Sequence, residues 1–381
     1  MIYLDHNATT PIRTEVLDVM GELQRTLFGN ASSYYGPARE ARAVLEKSRA
    51  EIAGCIGANP GEIVCTSGGS ESDNLAIRGA ARALRGKGRH LITSSIEHPA
   101  VLKTCQDLER DGYRVTYLPV DSRGMVDPAE VERAITPETL LISIMHANNE
   151  TGVIQPVSII GSMAGKHGIV FHTDAVQTLG KIPVQVSEIN ADLISLSSHK
   201  VHGPKGIGVL YVRKGTPLHP LITGGSQERG LRAGTENFPA VAGFSAAVSL
   251  ALNTMERDAA RITGLRDRME TEIANRIRGV KINGAGSNRL PNTSNLCFKG
   301  VDGESILLHL DLKGICASSG SACSTGSESP SHVLLAMGLD PHQAQSTIRL
   351  SLGRETSEQD ITATVDALTM IISRLRSISS L

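Results

Sequence analysis

Short apolar runs alternate with longer amphipathic stretches through most of the chain. The runs EIVCTS, RHLITSS, RVTYLPV, LLISIMHA, GIVFHTDA, ADLISLSS and GIGVLYVR are short and bounded by turn residues, which predicts strands, most of them buried. Between them, LAIRGAARALRGKG, AVLKTCQDLERDG, PAEVERAIT and VSIIGSMAGKHG predict helices, often closed by glycine. This rhythm predicts an α/β fold with a mainly parallel central sheet flanked by helices. The pattern changes near residue 250, where LNTMERDAARITGLRDRMETEIANRIRG reads as one long, charge-laced helix. Shorter strands follow, then the amphipathic stretch TSEQDITATVDALTMIISRLRSI. The organisation expected is a large domain over residues 13–255 and a smaller α+β domain made of 1–12 with 256–381. Residues 317–331, ASSGSACSTGSESPS, have the composition of a mobile surface loop.

Composition narrows the class. Aromatic residues make up 3% of the 381 and Trp is absent, so Ala, Val, Ile and Leu must build the core. The formal net charge of −1 offers no electrostatic case for nucleic acid or a membrane surface as main partner. No apolar stretch is long enough to span a bilayer, and MIYLDHNATTP lacks the basic flank and apolar run of a signal peptide. A cytoplasmic protein is expected. None of the six cysteines forms a C-x-x-C pair, which argues against a zinc ribbon or thioredoxin-like motif. Cys55, Cys65, Cys105 and Cys297 sit among apolar neighbours and read as buried thiols, whereas Cys323 lies in the Ser/Gly-rich loop.

The candidate chemistry collects where strands end. In SLSSHKVHGPKG, Ser197, His199 and Lys200 follow an apolar strand. A lysine is usually a solvated charge, but one held at a strand end can lose its proton and form a Schiff base with an aldehyde. In FHTDAVQ, Asp174 can cap the next helix or pair with a protonated pyridine nitrogen, and Gln177 can donate to a ring oxygen. In CTSGGSESDN, a strand runs through Gly68, Gly69 and Ser70 into a helix, a common arrangement that also suits an anion; it matches neither a Walker nor a dinucleotide fingerprint. His98, in SSIEHPAVL, can be structural or can stack on a flat ring and relay protons. Asn148 and Asn149, in HANNETG, can form a turn or bind substrate. Arg349, flanked by apolar residues in TIRLSLGR, needs a partner, either a structural carboxylate or that of a substrate. A thiol on a flexible tether, as at Cys323, can enter a pocket, take a group and carry it out.

Taken together, LDHNATTP, TSGGSESDN, EHPAV, NNETG, HTDAVQ, SSHKVHGPKG, QERGLRAGTEN, ASSGSACSTGS and IRLSLGR resemble the cysteine desulfurases of the NifS/IscS type, over essentially the whole length. These are fold-type I pyridoxal-phosphate (PLP) enzymes. The resemblance implies removal of sulfur from L-cysteine to give L-alanine and a persulfide on Cys323. It implies Lys200 as the Schiff-base lysine, His98 stacked on the PLP ring and relaying protons, and Asp174 as the pyridinium partner. Gln177 would donate to the ring hydroxyl oxygen, and Gly69, Ser70, Ser197 and His199 would bind phosphate. Thr235 would reach the phosphate in the neighbouring subunit of a homodimer, and Asn149 and Arg349 would bind substrate. The sulfur acceptor implied first is an iron–sulfur scaffold protein. Departures occur around Tyr34, in the Ser-Thr order after Cys323, at Ser70 where relatives carry Thr, and at Leu231 where relatives are often basic; none removes a catalytic group. The rival readings are another fold-type I PLP enzyme, either an aminotransferase indifferent to Cys323 or a selenocysteine lyase, and a non-catalytic sulfur carrier that binds no PLP. A thiol hydrolase would leave Lys200 and the phosphate loop unexplained.

Overall fold

A computed structural model describes residues 1–319 and 330–379. Cys323 and most of the 317–331 loop lie outside the described residues. Twelve strands are present among the described residues: β1 Ile2–Tyr3, β2 Ile63–Thr66, β3 His90–Ser94, β4 Arg114–Leu118, β5 Thr139–Ser143, β6 Val170–Asp174, β7 Leu193–Ser197, β8 Gly208–Val212, β9 Val280–Ile282, β10 Thr293–Phe298, β11 Ile315–Cys316 and β12 Thr347–Ser351.

Seven of these form one sheet in the order β2-β8-β7-β6-β5-β3-β4, and β8 alone runs against the rest. Alternating side chains serve two helical layers. Leu141 and Leu193 pack on one face with Leu75 and Leu91, while Ile142 and Ile194 pack on the other with Phe171 and Phe244. Parallel strands need crossovers, so the loops leaving β2, β3, β5, β6 and β7 emerge at one edge of the sheet, where α/β ligands bind.

Helix Phe238–Leu252 leads through a 68° bend into Met255–Arg276, the single long helix expected near residue 250. The first is apolar almost all round and buried, which suits a core helix. Among the described residues no single helix is long and apolar enough to cross a membrane. A second core gathers Leu4, Met269, Leu296, Phe298, Ile348, Leu350 and Val365 beneath the antiparallel sheet β12-β10-β9. Leu4 belongs to this core, so the N-terminal residues that follow it run across the junction between the two cores.

Candidate active site

Each strand loop delivers one part of a single cavity lined by Gly69, Ser70, Asp73, His98, Asn149, Asp174, Gln177, Ser197, His199 and Lys200. Lys200 ends the 3-10 turn after β7, and its Nζ donates to the carbonyls of Asn7 (2.5 Å) and Ala8 (2.7 Å). Asp174 ends β6, and its Oδ1 accepts from Val176 N at 2.9 Å. Helix Gly69–Ala83 opens at the cavity wall. Gly69 permits the close approach: a Cβ there would lie 2.8 Å from Val176 Cγ2 and 3.6 Å from Ser197 Cβ.

Burial sets the charge states. The Asp174 carboxyl is pushed up to about 6 by burial, and the adjoining Asp73 carboxyl is raised by burial and by Asp174. His98 caps helix Pro99–Arg110, its Nδ1 accepting from Ala100 N at 3.1 Å, so the neutral ring carries its proton on Nε2. Burial, then Lys200 and His332, hold His98 down at about 4. Its imidazole is therefore neutral at pH 7 in this cavity. His199 is also lowered to about 4, chiefly by burial, and its Nδ1 lies 3.1 Å from Thr9 Oγ1.

Of the two adjacent asparagines, Asn148 is structural: its Oδ1 accepts from the backbone of Glu150 and Thr151, and its Nδ2 donates to Ile96 O. Asn149 lines the cavity. Arg349, 2% exposed on β12, donates to Asp5 Oδ1 at 2.7 Å and to Asn149 O at 3.0 Å. The structural ion pair anticipated for it is thus present, close to the cavity wall. Thr235 is exposed and does not line the cavity of its own chain. The two flanks of the Cys323 segment are anchored beside this site: Ser318 exchanges backbone hydrogen bonds with Arg349, and Ser331 Oγ donates to Glu150 Oε2 at 2.6 Å.

Sequence reasoning missed Asn7, which is 1% exposed and ties the site together. Its carbonyl accepts from Lys200 and Gln177. Its Oδ1 accepts from Lys181 and Asn292, and its Nδ2 donates to Asn149 O and Thr293 Oγ1. The available signal was the polar cluster Asp5, His6 and Asn7 in LDHNATTP, directly after the apolar N-terminal stretch.

The donor set fits PLP. Ser197 Oγ is buried with no hydrogen-bond partner among the described residues, at the end of the cavity where Gly69, Ser70 and His199 gather, an arrangement that suits a phosphate. Two crowded carboxyls, Asp73 and Asp174, favour a cationic ring nitrogen beside them.

Residues 2–364 match the aminotransferase class-V family. The cysteine desulfurase IscS of Dictyoglomus turgidum is 51% identical over 99% of this chain and 96% of its own. A solved NifS-like protein superposes with a TM-score of 0.93 at 38% identity, over 98% of this chain and all of the other (100%). SspA, solved in complex with cysteine, reaches 0.82 at 40% identity over 94% of this chain and 100% of its own. The fold is that of the fold-type I PLP enzymes, the cofactor of the class is PLP, and the chain belongs to the class-V aminotransferase family, among its cysteine desulfurases.

Proposed function

We propose that this protein is a PLP-dependent cysteine desulfurase that converts L-cysteine to L-alanine and carries the sulfur away as a persulfide on Cys323. The observation that carries the reading is the meeting of Lys200, Asp174 and the unpartnered Ser197 hydroxyl in one cavity of a chain so similar to cysteine desulfurases. PLP, when bound, supplies an electron sink for the Cα carbanion. Lys200 Nζ would hold PLP and then move the substrate Cα proton. Asp174 would pair with the ring nitrogen, Gln177 would donate to the ring oxygen, and Gly69, Ser70, Ser197 and His199 would bind the phosphate. Asn149 and Arg349 would orient the substrate carboxylate, Arg349 sharing its guanidinium with Asp5. His98, neutral in this environment, would lie against the ring and pass a proton through Nε2. The Cys323 thiolate would attack the substrate sulfur: the Cβ–S bond breaks, an S–S bond forms, and Cβ gains a proton as alanine is completed.

The anchored flanks at Ser318 and Ser331 support delivery of Cys323 to this site. Exposed Thr235, together with Phe28, Tyr34 and Tyr35 exposed in one segment, supports a homodimer. The two apolar cores support two domains, 13–255 and 1–12 with 256–381. An iron–sulfur scaffold protein is the acceptor proposed, in a cytoplasmic setting that keeps Cys323 a thiol.

The test is alanine formed from L-cysteine with a reductant present, for wild type and Cys323→Ala. Alanine from wild type alone supports the reading. Equal alanine from both removes Cys323 from the reaction and favours another PLP lyase, and a wild type that takes up no PLP overturns the proposal.

A further inference from the structure

Gln177 and Lys200 face the cofactor cavity, and Lys200 also borders a second cavity behind it, lined by Lys181, Leu179, Val201, Met255 and Leu352. The wall between the two is a small hydrogen-bonded array. Lys181 Nζ donates to Gln177 Oε1 and to Asn7 Oδ1, both at 3.0 Å. Gln177 Nε2 donates to Asn7 O at 3.0 Å, and Lys200 Nζ donates to the same carbonyl.

An ammonium has three donors and no acceptor. Held against Lys181, the Gln177 side chain must turn its carbonyl oxygen toward the ammonium and keep its NH2 for the other edge. The amide orientation, normally ambiguous, is thereby decided. Lys181 has no ion-pair partner among the described residues; both groups holding it are neutral amides. The charged and titratable groups around it are Lys200, Arg349, His6 and His202. Farther round the second cavity lie Arg13 and Arg354, each within reach of an acid, Glu15 and Asp258. Burial, then Lys200 and Arg349, bring Lys181 down to about 7.

We infer that Lys181 is a positioning residue for the desulfurase reaction, fixing Gln177 as a hydrogen-bond donor toward the cofactor and setting a cation behind Lys200 that opposes a second positive charge on Lys200 Nζ. The inference rests on the function proposed above. It assigns Lys181 no contact with substrate; it acts through Gln177, Asn7 and the field at Lys200.

The experiment is a pH titration of the visible absorption of the PLP-loaded protein, with cofactor retention after gel filtration as a second readout, for wild type, Lys181→Met, Lys181→Gln and Lys181→Arg. Loss of the cation in Lys181→Met should move the titration midpoint upward by roughly one pH unit, the scale of a neighbouring charge. Retained cofactor should fall at the same time. Lys181→Gln keeps a donor for Gln177 without the charge; it should shift the midpoint while retaining more cofactor than Lys181→Met. Lys181→Arg keeps the charge and should titrate close to wild type. If Lys181→Met fails to fold, the Gln and Arg variants decide, since they differ in charge. A wild-type midpoint in Lys181→Met, or in Lys181→Gln should only that variant fold, overturns the inference and leaves the desulfurase reading standing. A wild type that takes up no PLP overturns both.

Discussion

Arg49 and Lys181 are basic side chains set among packed neighbours, and their partners could hardly differ more. Arg49 donates two hydrogen bonds to Glu228, at 2.7 and 2.8 Å, with both side chains almost wholly buried, at 3% and 2% exposed. Burial opposes its charge, but the Glu228 hydrogen bonds more than offset this and raise its pKa. Glu228 also accepts from Cys65 N at 2.8 Å. This pair has structural work: Glu228 and Arg229 both hold left-handed backbone, at φ 45° and 58°, and the Arg49 fork secures that strained turn at the base of the loop leading to Thr235. Lys181 donates to two neutral amides and has no carboxylate partner among the described residues, so its charge is left poised. A buried cation with a full carboxylate partner holds structure; one among neutral donors and acceptors can tune chemistry nearby.

The comparison predicts where stability and function part. The largest stability effect should come from Arg49→Ala, which strands Glu228 and costs about 3–5 kcal/mol, read by denaturant unfolding. Glu228→Gln should cost less, since its amide oxygen still accepts from Cys65 N. The opposite sign is expected at Asp174. Its raised carboxyl opposes folding above about pH 6, so Asp174→Asn should stabilise the apoprotein at pH 7 by roughly 1–3 kcal/mol while sharply weakening PLP retention. An apoprotein destabilised by Asp174→Asn would show that this charge is structurally paired, like that of Arg49.

Smaller effects follow from the remaining buried groups. Glu97, pushed up to about 8 by burial, and Asp174, at about 6, bind more protons folded than unfolded, so Glu97 adds stability as pH falls from about 8 and Asp174 as it falls from about 6. His6 and His146, lowered to about 4, and His172, lowered to about 3, do the reverse; burial depresses all three, so their contribution is present above about 6.5 and lost toward 4. With three histidines opposing two carboxyls, the apoprotein melting temperature should fall as pH drops from about 6.5 toward 4, and a rise over that interval would contradict these charge states. The smallest effect is Ser197→Ala, which removes one phosphate donor. PLP affinity should fall about fivefold, about 1 kcal/mol, with apoprotein stability unchanged or slightly raised because an unpartnered hydroxyl has gone.

Strand existence and order along the chain were legible because burial on both faces demands short runs of apolar and small residues without charges, as in LISLS and TLLIS. Helix ends were less so. LNTMERDAARITG lies in one long helix as read, but that helix starts only at Met255, because the apolar helix ending at Leu252 and the charged helix after it pack on different cores. The helices Thr14–Thr26 and Gly36–Cys55 had no counterpart among the predicted elements; their apolar faces are built mainly of isolated Ala, Val and Leu.

By itself the sequence determined the strand–helix order, the aliphatic core and the residue types at each strand end, because these follow from local periodicity and side-chain chemistry. Only the tertiary structure decided that Gly69, Asp174, Ser197 and Lys200, far apart in the chain, line one cavity. It also decided that His98 is neutral, that Arg349 is shared with Asp5, and that Asn7 joins seven residues from distant parts of the chain. Desolvation and hydrogen-bond partnership depend on what packs around a group, and the packing around Asn7 brings in Thr293 from 286 positions away.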